Sequence, residues 1–212
     1  LAALGALNVR SVGNLKYAAQ PLPVDRTELE RLRRAVGGRP LWLASSTHAG
    51  EEALAGRVHR MLVPGHPGLL TVIVPRHADR GGEIAAGLAR EGLRVARRSR
   101  GDVPDGADIY LADTMGELGL FYRLAGIVFV GKSLLHEGGQ NPLEPAQLDC
   151  AILTGPHMQN FAQIVGRLRT AGALSEVRDE AALAQAVSGL LRDPRKRDAL
   201  ALAARQVAEA EA

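Results

Sequence analysis

Apolar residues along the chain form short continuous runs that alternate with stretches of helical spacing. The runs of strand length lie at residues 41–44, 70–74, 109–112, 127–130 and 151–153, with a weaker one at 93–96. Continuous apolar runs are typical of parallel strands that are covered on both faces. Because these runs alternate with helical stretches, the pattern predicts an α/β fold with a Rossmann-like, doubly wound parallel sheet.

The segments between these runs repeat their apolar positions with the period of a helix. They lie at residues 51–62, 80–91, 116–125, 142–148 and 158–170, and two more, at 179–191 and 193–212, end the chain. We expect one further helix before the first strand, with Asp25 or Thr27 as its N-cap and with Gly37 and Gly38 at its end.

These patterns divide the chain into three parts. Residues 25–192 form the predicted nucleotide-sugar-binding sheet domain. Residues 1–24 are predicted to be the end of an N-terminal domain and the interdomain linker, and residues 193–212 a last helix that packs on this domain or crosses back to the other. The first residues lack the basic leader of a signal peptide, so we expect a chain cut from a longer protein.

Composition narrows the functional class only a little. The 212 residues are 46% hydrophobic, which is ordinary for a globular domain, and the net charge of +3 allows an anionic partner. Aromatic residues make up 3%, which disfavours a base-stacking surface for nucleic acid. We expect the arginine-rich stretch at residues 94–100 to be a solvated face, and Cys150, the one cysteine, excludes an internal disulfide.

Polar residues are concentrated directly after the predicted strands, where a doubly wound sheet binds its ligands. His48 and Arg76 follow the first two long runs. Gly116 would let a ligand approach the backbone closely, and Glu117 would either cap a helix or accept from ribose hydroxyls.

The loop at residues 131–146 is the richest. Asn141 is a good N-cap and Pro142 a good first helical residue, so this helix start would offer free N–H groups to an anion. Glu144 in the first turn would be unfavourable beside a phosphate, and we expect it to meet sugar hydroxyls instead.

Two other motifs do not predict the sites they suggest. Residues 126–133 match the P-loop pattern, but their middle four residues are the predicted strand, whereas a P-loop needs a flexible loop there. His136 and Glu137 begin a zinc-protease motif that has Gln140 in place of its second histidine. The sequence therefore predicts no metal site.

Four of the loops together resemble the 3-deoxy-D-manno-octulosonic acid (Kdo) transferases. The stretches are SSTHAGEE at residues 45–52, PRHADR at 75–80, ADTMGELGLFY at 112–122, and FVGKSL and GGQNPLEPA at 129–134 and 138–146. Residues 13–17, GNLKY, also resemble the segment that joins the two domains of this family. The motifs stand in order over nearly the whole chain.

This resemblance implies the C-terminal, donor-binding half of a two-domain GT-B glycosyltransferase. The full enzyme would transfer Kdo, with inversion, from CMP-Kdo to a lipid A precursor such as lipid IVA in lipopolysaccharide synthesis, without a cofactor or metal. It would work at the cytoplasmic face of the bacterial inner membrane and touch the membrane surface. Because the family's catalytic base and membrane anchor lie in its N-terminal domain, we expect this fragment alone to be soluble and inactive, and to need that domain as its partner.

Carried over by motif, the resemblance implies nine donor-binding residues. They are His48, Arg76, Met115, Gly116, Glu117, Gly131, Ser133, Asn141 and Glu144. Arg76 and the backbone of Met115 and Gly116 would meet the cytosine, and His48 would face the donor sugar.

The remaining residues would hold the phosphate and the ribose. Gly131, Ser133 and the helix start at Asn141 would bind the phosphate. Glu144, with Glu117 nearby, would bind the ribose. Preorganised N–H donors of this kind stabilise the charge that develops on the leaving cytidine phosphate.

Three positions depart from the family pattern. Lys132 stands where a second glycine is usual, Gln140 replaces a histidine, and Ala49 replaces a glutamate. The fold also leaves other functions open: a GT-B enzyme or epimerase that uses UDP-sugars, or a non-catalytic nucleotide-binding module. A preference for UDP over CMP would identify the first of these.

Overall fold

The computed structural model describes residues 20–211. The segment at residues 13–17 and most of the predicted linker lie outside the described residues. The strands are β1 (Leu41–Thr47), β2 (Leu70–Pro75), β3 (Val95–Arg97), β4 (Ile109–Leu111), β5 (Ile127–Val130), β6 (Ala151–Thr154) and β7 (Leu174–Glu176). The helices are α1 (Arg26–Val36), α2 (Glu51–Leu62), α3 (Gly81–Arg90), α4 (Leu118–Ala125), α5 (Leu143–Ala146), α6 (Ala162–Thr170), α7 (Glu180–Arg192) and α8 (Pro194–Ala210).

The seven strands form one parallel sheet in the order β3-β4-β2-β1-β5-β6-β7. This confirms the predicted doubly wound sheet. The chain builds outward from β1 in one direction and then returns to place β5 on its other side. The carboxyl ends of β1 and β5 therefore flank the point where the strand order reverses, which is where such sheets form a ligand crevice.

Both faces of the sheet are covered by apolar side chains. Leu41 and Leu43 of β1 belong to one buried cluster, and Trp42 and Ala44 belong to the other. Because successive side chains of a strand point to opposite faces, a continuous apolar run fills two cores at once. This is why the apolar runs predicted the strands, including β5 in the middle of the P-loop-like pattern.

Local signals placed the first helix correctly. The Asp25 side chain accepts a hydrogen bond from the Glu28 N–H (3.1 Å), and Gly37, with φ 63°, ends the helix. The sequence analysis missed β7, a three-residue strand at the sheet edge that buries only Leu174 fully. It also made α5 too long: the predicted helix at 142–148 is a single turn, Leu143–Ala146.

The last helix packs on this domain. Ala201, Ala204 and Ala208 of α8 are buried, and the helix contacts α5, α6 and β6. The described part of residues 193–212 therefore adds to the sheet domain, and a contact of this helix with another domain stays a prediction.

The arginine-rich stretch is the expected solvated face only in part: Arg94 and Arg100 are exposed, but three of its arginines form ion pairs. The pairs are Arg94–Asp108 (2.7 Å), Arg97–Asp113 (2.6 Å) and Arg98–Glu117 (2.5 Å), and Arg98 also pairs with Glu28. The side chains of Arg97 and Arg98 are only 18% and 13% exposed. They join the ends of β3 and β4 to α1 and α4, so their charges are neutralised by carboxylates of the same domain.

We expect acid to weaken the fold through His59. This side chain is buried, its Nδ1 lies 2.9 Å from Thr71 Oγ1, and burial lowers the pKa of His59. The unfolded chain then binds a proton more readily, so this contribution to stability is present above pH ~6.5 and is lost as the pH falls from there towards the folded pKa. Urea denaturation should give a lower free energy of unfolding at pH 5.5 than at pH 7.

The variant His59→Gln is the matched control, since glutamine keeps a polar group near Thr71 and does not titrate. Its free energy of unfolding should fall less over the same pH range. Equal pH slopes for the two proteins would show that His59 does not contribute.

Candidate functional site

Three loops converge where the strands end, at a surface that we name the carboxyl edge. The His48 ring, after β1, lies 5.7 Å from the His77 ring, after β2, and 6.0 Å from the His136 ring, after β5. His48 Nε2 also lies 3.0 Å from Gln140 Nε2. The amide nitrogen of Gln140 can only donate, so this bond requires an unprotonated His48 Nε2. Burial lowers the pKa of His48, which favours the same neutral form.

A buried carboxylate holds two of these loops together. Glu51, the first residue of α2, is 1% exposed. Its Oε2 accepts hydrogen bonds from the N–H groups of His48 (3.0 Å) and Lys132 (2.7 Å), and its Oε1 accepts one from Ser133 (3.3 Å). A carboxylate at a helix N-terminus is stabilised by the helix as well. The sequence analysis missed this role, because a glutamate in a first turn indicates only a favourable helix end.

The N–H groups of Gly131 and Ser133, which are predicted to bind the phosphate, have partners within the protein. The Gly131 N–H donates to Ser45 O (2.8 Å), and the Ser133 N–H donates to Glu51. The Ser133 hydroxyl is fully buried, accepts from Gly155 N–H (2.8 Å) and donates to Val130 O (2.5 Å). Since these donors are bonded within the protein, the two residues shape the loop, and their contacts with a phosphate stay a prediction.

Gly131 is required by the close approach of two backbones. A Cβ atom at this position would lie 2.6 Å from Ser46 O and 2.7 Å from Ser45 O. Real Cβ atoms do not come so close, so a side chain would push β5 away from the end of β1. Ser46 itself has φ 51°, at the point where the pairing of β1 with β2 shifts register.

Asn141 and Glu144 form a bonded pair at the start of α5. Asn141 Oδ1 accepts from Leu143 N–H (3.0 Å), as a capping residue does, and Asn141 Nδ2 donates to Glu144 Oε1 (3.2 Å). Burial raises the pKa of Glu144, while this hydrogen bond and the charge of Arg76 oppose the rise. The single turn of α5 aligns few peptide dipoles, so the predicted anion-binding helix start is weaker than the sequence indicated.

Arg76, Met115 and Gly116 are accessible on the loops after β2 and β4. Arg76 is exposed, and no carboxylate between residues 20 and 211 pairs with its guanidinium in the ion pairs of the structure. The Met115 residue is 70% exposed, and Gly116 has φ 81°. An exposed apolar side chain and an unpaired guanidinium, on the loops after two neighbouring strands, are groups that a flat, polar-edged ring could contact.

Glu117 is bonded to two neighbouring side chains, Arg98 and Thr114. Arg98 Nε donates to its Oε2 (3.0 Å), Arg98 Nη2 to its Oε1 (2.5 Å), and the Thr114 hydroxyl also donates to Oε2. The hydrogen bonds from Arg98 hold the pKa of Glu117 below its usual value. Glu117 thus fixes the loop after β4, and its predicted place near the ribose stays a prediction.

Residues 20–211 contain no group of three or more His, Cys, Asp and Glu side chains placed to hold a metal ion. None of the helices in the same part is long and apolar enough for a membrane span.

No protein-family model matches the chain. It is 37% identical over 198 residues to the 3-deoxy-D-manno-octulosonic acid transferase of Haemophilus influenzae. The aligned residues cover 92% of this chain and 46% of that protein. It is 34% identical over 209 residues to the transferase of the same name from Bordetella pertussis, covering 95% and 48%. The chain thus spans about half the length of these curated relatives.

A solved structure matches most of the chain. This is the crystal structure of the C-terminal CMP-Kdo binding domain of WaaA from Acinetobacter baumannii, with a TM-score of 0.81 and 30% sequence identity. The match covers 85% of this chain and 96% of that domain.

We expect Glu51→Gln to loosen the carboxyl edge. Glutamine offers one acceptor oxygen instead of two and turns an NH₂ group towards backbone N–H donors, so buried donors lose their partners. The loss should be about 2–3 kcal/mol in the free energy of unfolding, measured by urea denaturation. The Lys132 and Ser133 amides should also lose hydrogen-exchange protection.

The control is Glu137→Gln, which makes the same chemical change at an exposed position of the loop after β5. It should leave both measurements unchanged. If Glu51→Gln were as stable and as well protected as this control, the anchoring role of Glu51 would be refuted.

Proposed function

The chain belongs to the 3-deoxy-D-manno-octulosonic acid transferase family, whose C-terminal CMP-Kdo binding domain it matches, and we propose that it binds the donor CMP-Kdo. The observation that carries this proposal is the match to 96% of that domain at 30% identity. The position of the carboxyl edge at the reversal of strand order supports it, because nucleotide ligands bind there in doubly wound sheets.

The whole protein would transfer Kdo from this donor to a lipid A precursor such as lipid IVA, with inversion. In this proposal an N-terminal domain supplies the catalytic base and the membrane contact at the cytoplasmic face of the inner membrane. The chain alone would then bind the donor without turning it over. Neither a cofactor nor a metal is part of the proposal.

The cytosine is proposed to lie on the loops after β2 and β4. Arg76 has a guanidinium that can donate to the acceptor edge of the base, which carries a carbonyl and a ring nitrogen. The exposed Met115 offers apolar, polarizable surface to the ring face, and Gly116 leaves the backbone open to it.

Glu144 is proposed to bind the ribose. Asn141 Nδ2 holds one of its carboxylate oxygens, which orients the other. A carboxylate accepts from two neighbouring hydroxyl groups, and a half-buried one gains more from such bonds than an exposed one does. His48, neutral and bonded to Gln140, is proposed to face the donor sugar.

Calorimetric titration tests the donor class. The 212-residue chain should bind CMP with a dissociation constant on the order of 0.1–1 mM and bind UMP, UDP and Mg-ATP more weakly. Glu144→Ala should weaken CMP binding roughly tenfold, because the ribose hydroxyls lose a charged acceptor.

Glu137→Ala removes an exposed carboxylate from the neighbouring loop and is the matched control, with unchanged affinity expected. Tighter binding of UDP or of Mg-ATP would reject CMP-Kdo as the donor. Equal losses in the two variants would mean that Glu144 has no specific contact with the nucleotide.

A further inference from the structure

Lys132 has a backbone conformation that disfavours a side chain. Its φ is 55°, in the left-handed region that glycine adopts freely and other residues adopt at a cost. In the described part of the chain only Ser46 and Asp149 share a positive φ without being glycine. This conformation explains why a glycine is usual at this position in the Kdo transferase pattern.

The contacts that fix this conformation use only the backbone. The Lys132 N–H donates to Glu51 Oε2 (2.7 Å), and the Lys132 carbonyl accepts from Gly139 N–H (2.8 Å). A glycine at this position would make both bonds without the conformational cost. The fold therefore needs the backbone of residue 132 and has no need of the lysine side chain.

The side chain runs towards the middle of the carboxyl edge. Lys132 Cε passes over Gly138, 3.6 Å from where a Cβ atom would stand on that glycine. Its charge also reaches His48: burial lowers the pKa of His48, and Lys132 lowers it further. The ammonium thus lies near both the loop that leads to Asn141 and the residue proposed to face the donor sugar.

No internal anion neutralises this charge. Within residues 20–211 no carboxylate forms a salt bridge with Lys132, whereas Arg97 and Arg98 at the same edge are paired. The residue is half-buried, so a bound anion would be less screened by water than on an open surface.

We propose that the Lys132 ammonium binds an anionic group of the donor, either the nucleotide phosphate or the carboxylate of the sugar. This inference rests on the proposed function and extends it. The ammonium would supply a positive charge for the anion where the N–H groups of Gly131 and Ser133 are already bonded within the protein. In this contact the chain would differ from relatives that have a glycine at residue 132.

NMR titrations of the 212-residue chain test this inference with three ligands: CMP, cytidine and free Kdo. Lys132→Met removes the charge and keeps the length of the side chain. A phosphate contact predicts a roughly tenfold weaker affinity for CMP, with cytidine and Kdo unchanged. A carboxylate contact predicts the same loss for Kdo, with CMP unchanged.

Three further variants distinguish an effect of the lost charge on binding from an effect on the stability of the fold. Lys132→Arg keeps the charge and should bind nearly as the unmodified chain does. Lys132→Gly removes the charge and also the energetic cost of the left-handed backbone conformation. It should therefore be at least as stable as the unmodified chain and yet bind the ligands as weakly as Lys132→Met does. Lys196→Met, the same change at an exposed position of α8, should have no effect on any ligand.

The outcomes distinguish this inference from the proposed function. If the unmodified chain binds CMP and every Lys132 variant binds CMP and Kdo equally well, the inference is overturned and the proposed function stands. If the chain prefers UDP and Lys132→Met weakens that binding, the proposed donor is wrong and the anion contact stands. Absence of binding for CMP, Kdo and UDP would overturn both.

Discussion

The carboxylate of Glu51 determines the geometry of the carboxyl edge. It lies inside the protein, where an unpaired charge would be very costly, and it is stabilised by N–H groups from two loops that are far apart in sequence. The bond to Lys132 joins residues 81 positions apart. Because the loops after β1 and β5 are tied to the same two oxygen atoms, neither can move without breaking a buried hydrogen bond. The ligand crevice is therefore built before a ligand arrives.

The charged groups of the carboxyl edge are of two kinds, paired and unpaired. Arg97, Arg98 and Glu117 neutralise one another or a buried aspartate, and they hold the loops after β3 and β4 in place. Arg76 and Lys132 have no such partner within the described residues. Paired charges stabilise the shape of the edge, and the two unpaired cations are the groups that the proposed donor would meet there.

The three departures from the family pattern have different structural meanings. Ala49 contributes its carbonyl oxygen, 2.7 Å from His136 Nε2, a contact that any residue could make. Gln140 bonds to His48 and thereby selects its neutral form. Lys132 adds a charge at a backbone position where a glycine would fit better. Only the last change adds a charged group that has no ion-pair partner among residues 20–211.

The sequence by itself determined the sheet and most of its helices, since these depend on short-range patterns. Apolar runs predicted six of the strands, and Asp25 and Gly37 marked the ends of the first helix. The motifs after the strands predicted the loops that meet at the carboxyl edge. Only the tertiary structure decided which groups of those loops remain free. Gly131, Ser133 and Glu117 look like ligand contacts in sequence, but their partners come from residues far along the chain or on another element. Such partners cannot be read from spacing, because a hydrogen bond between distant loops depends on the packing of the whole sheet.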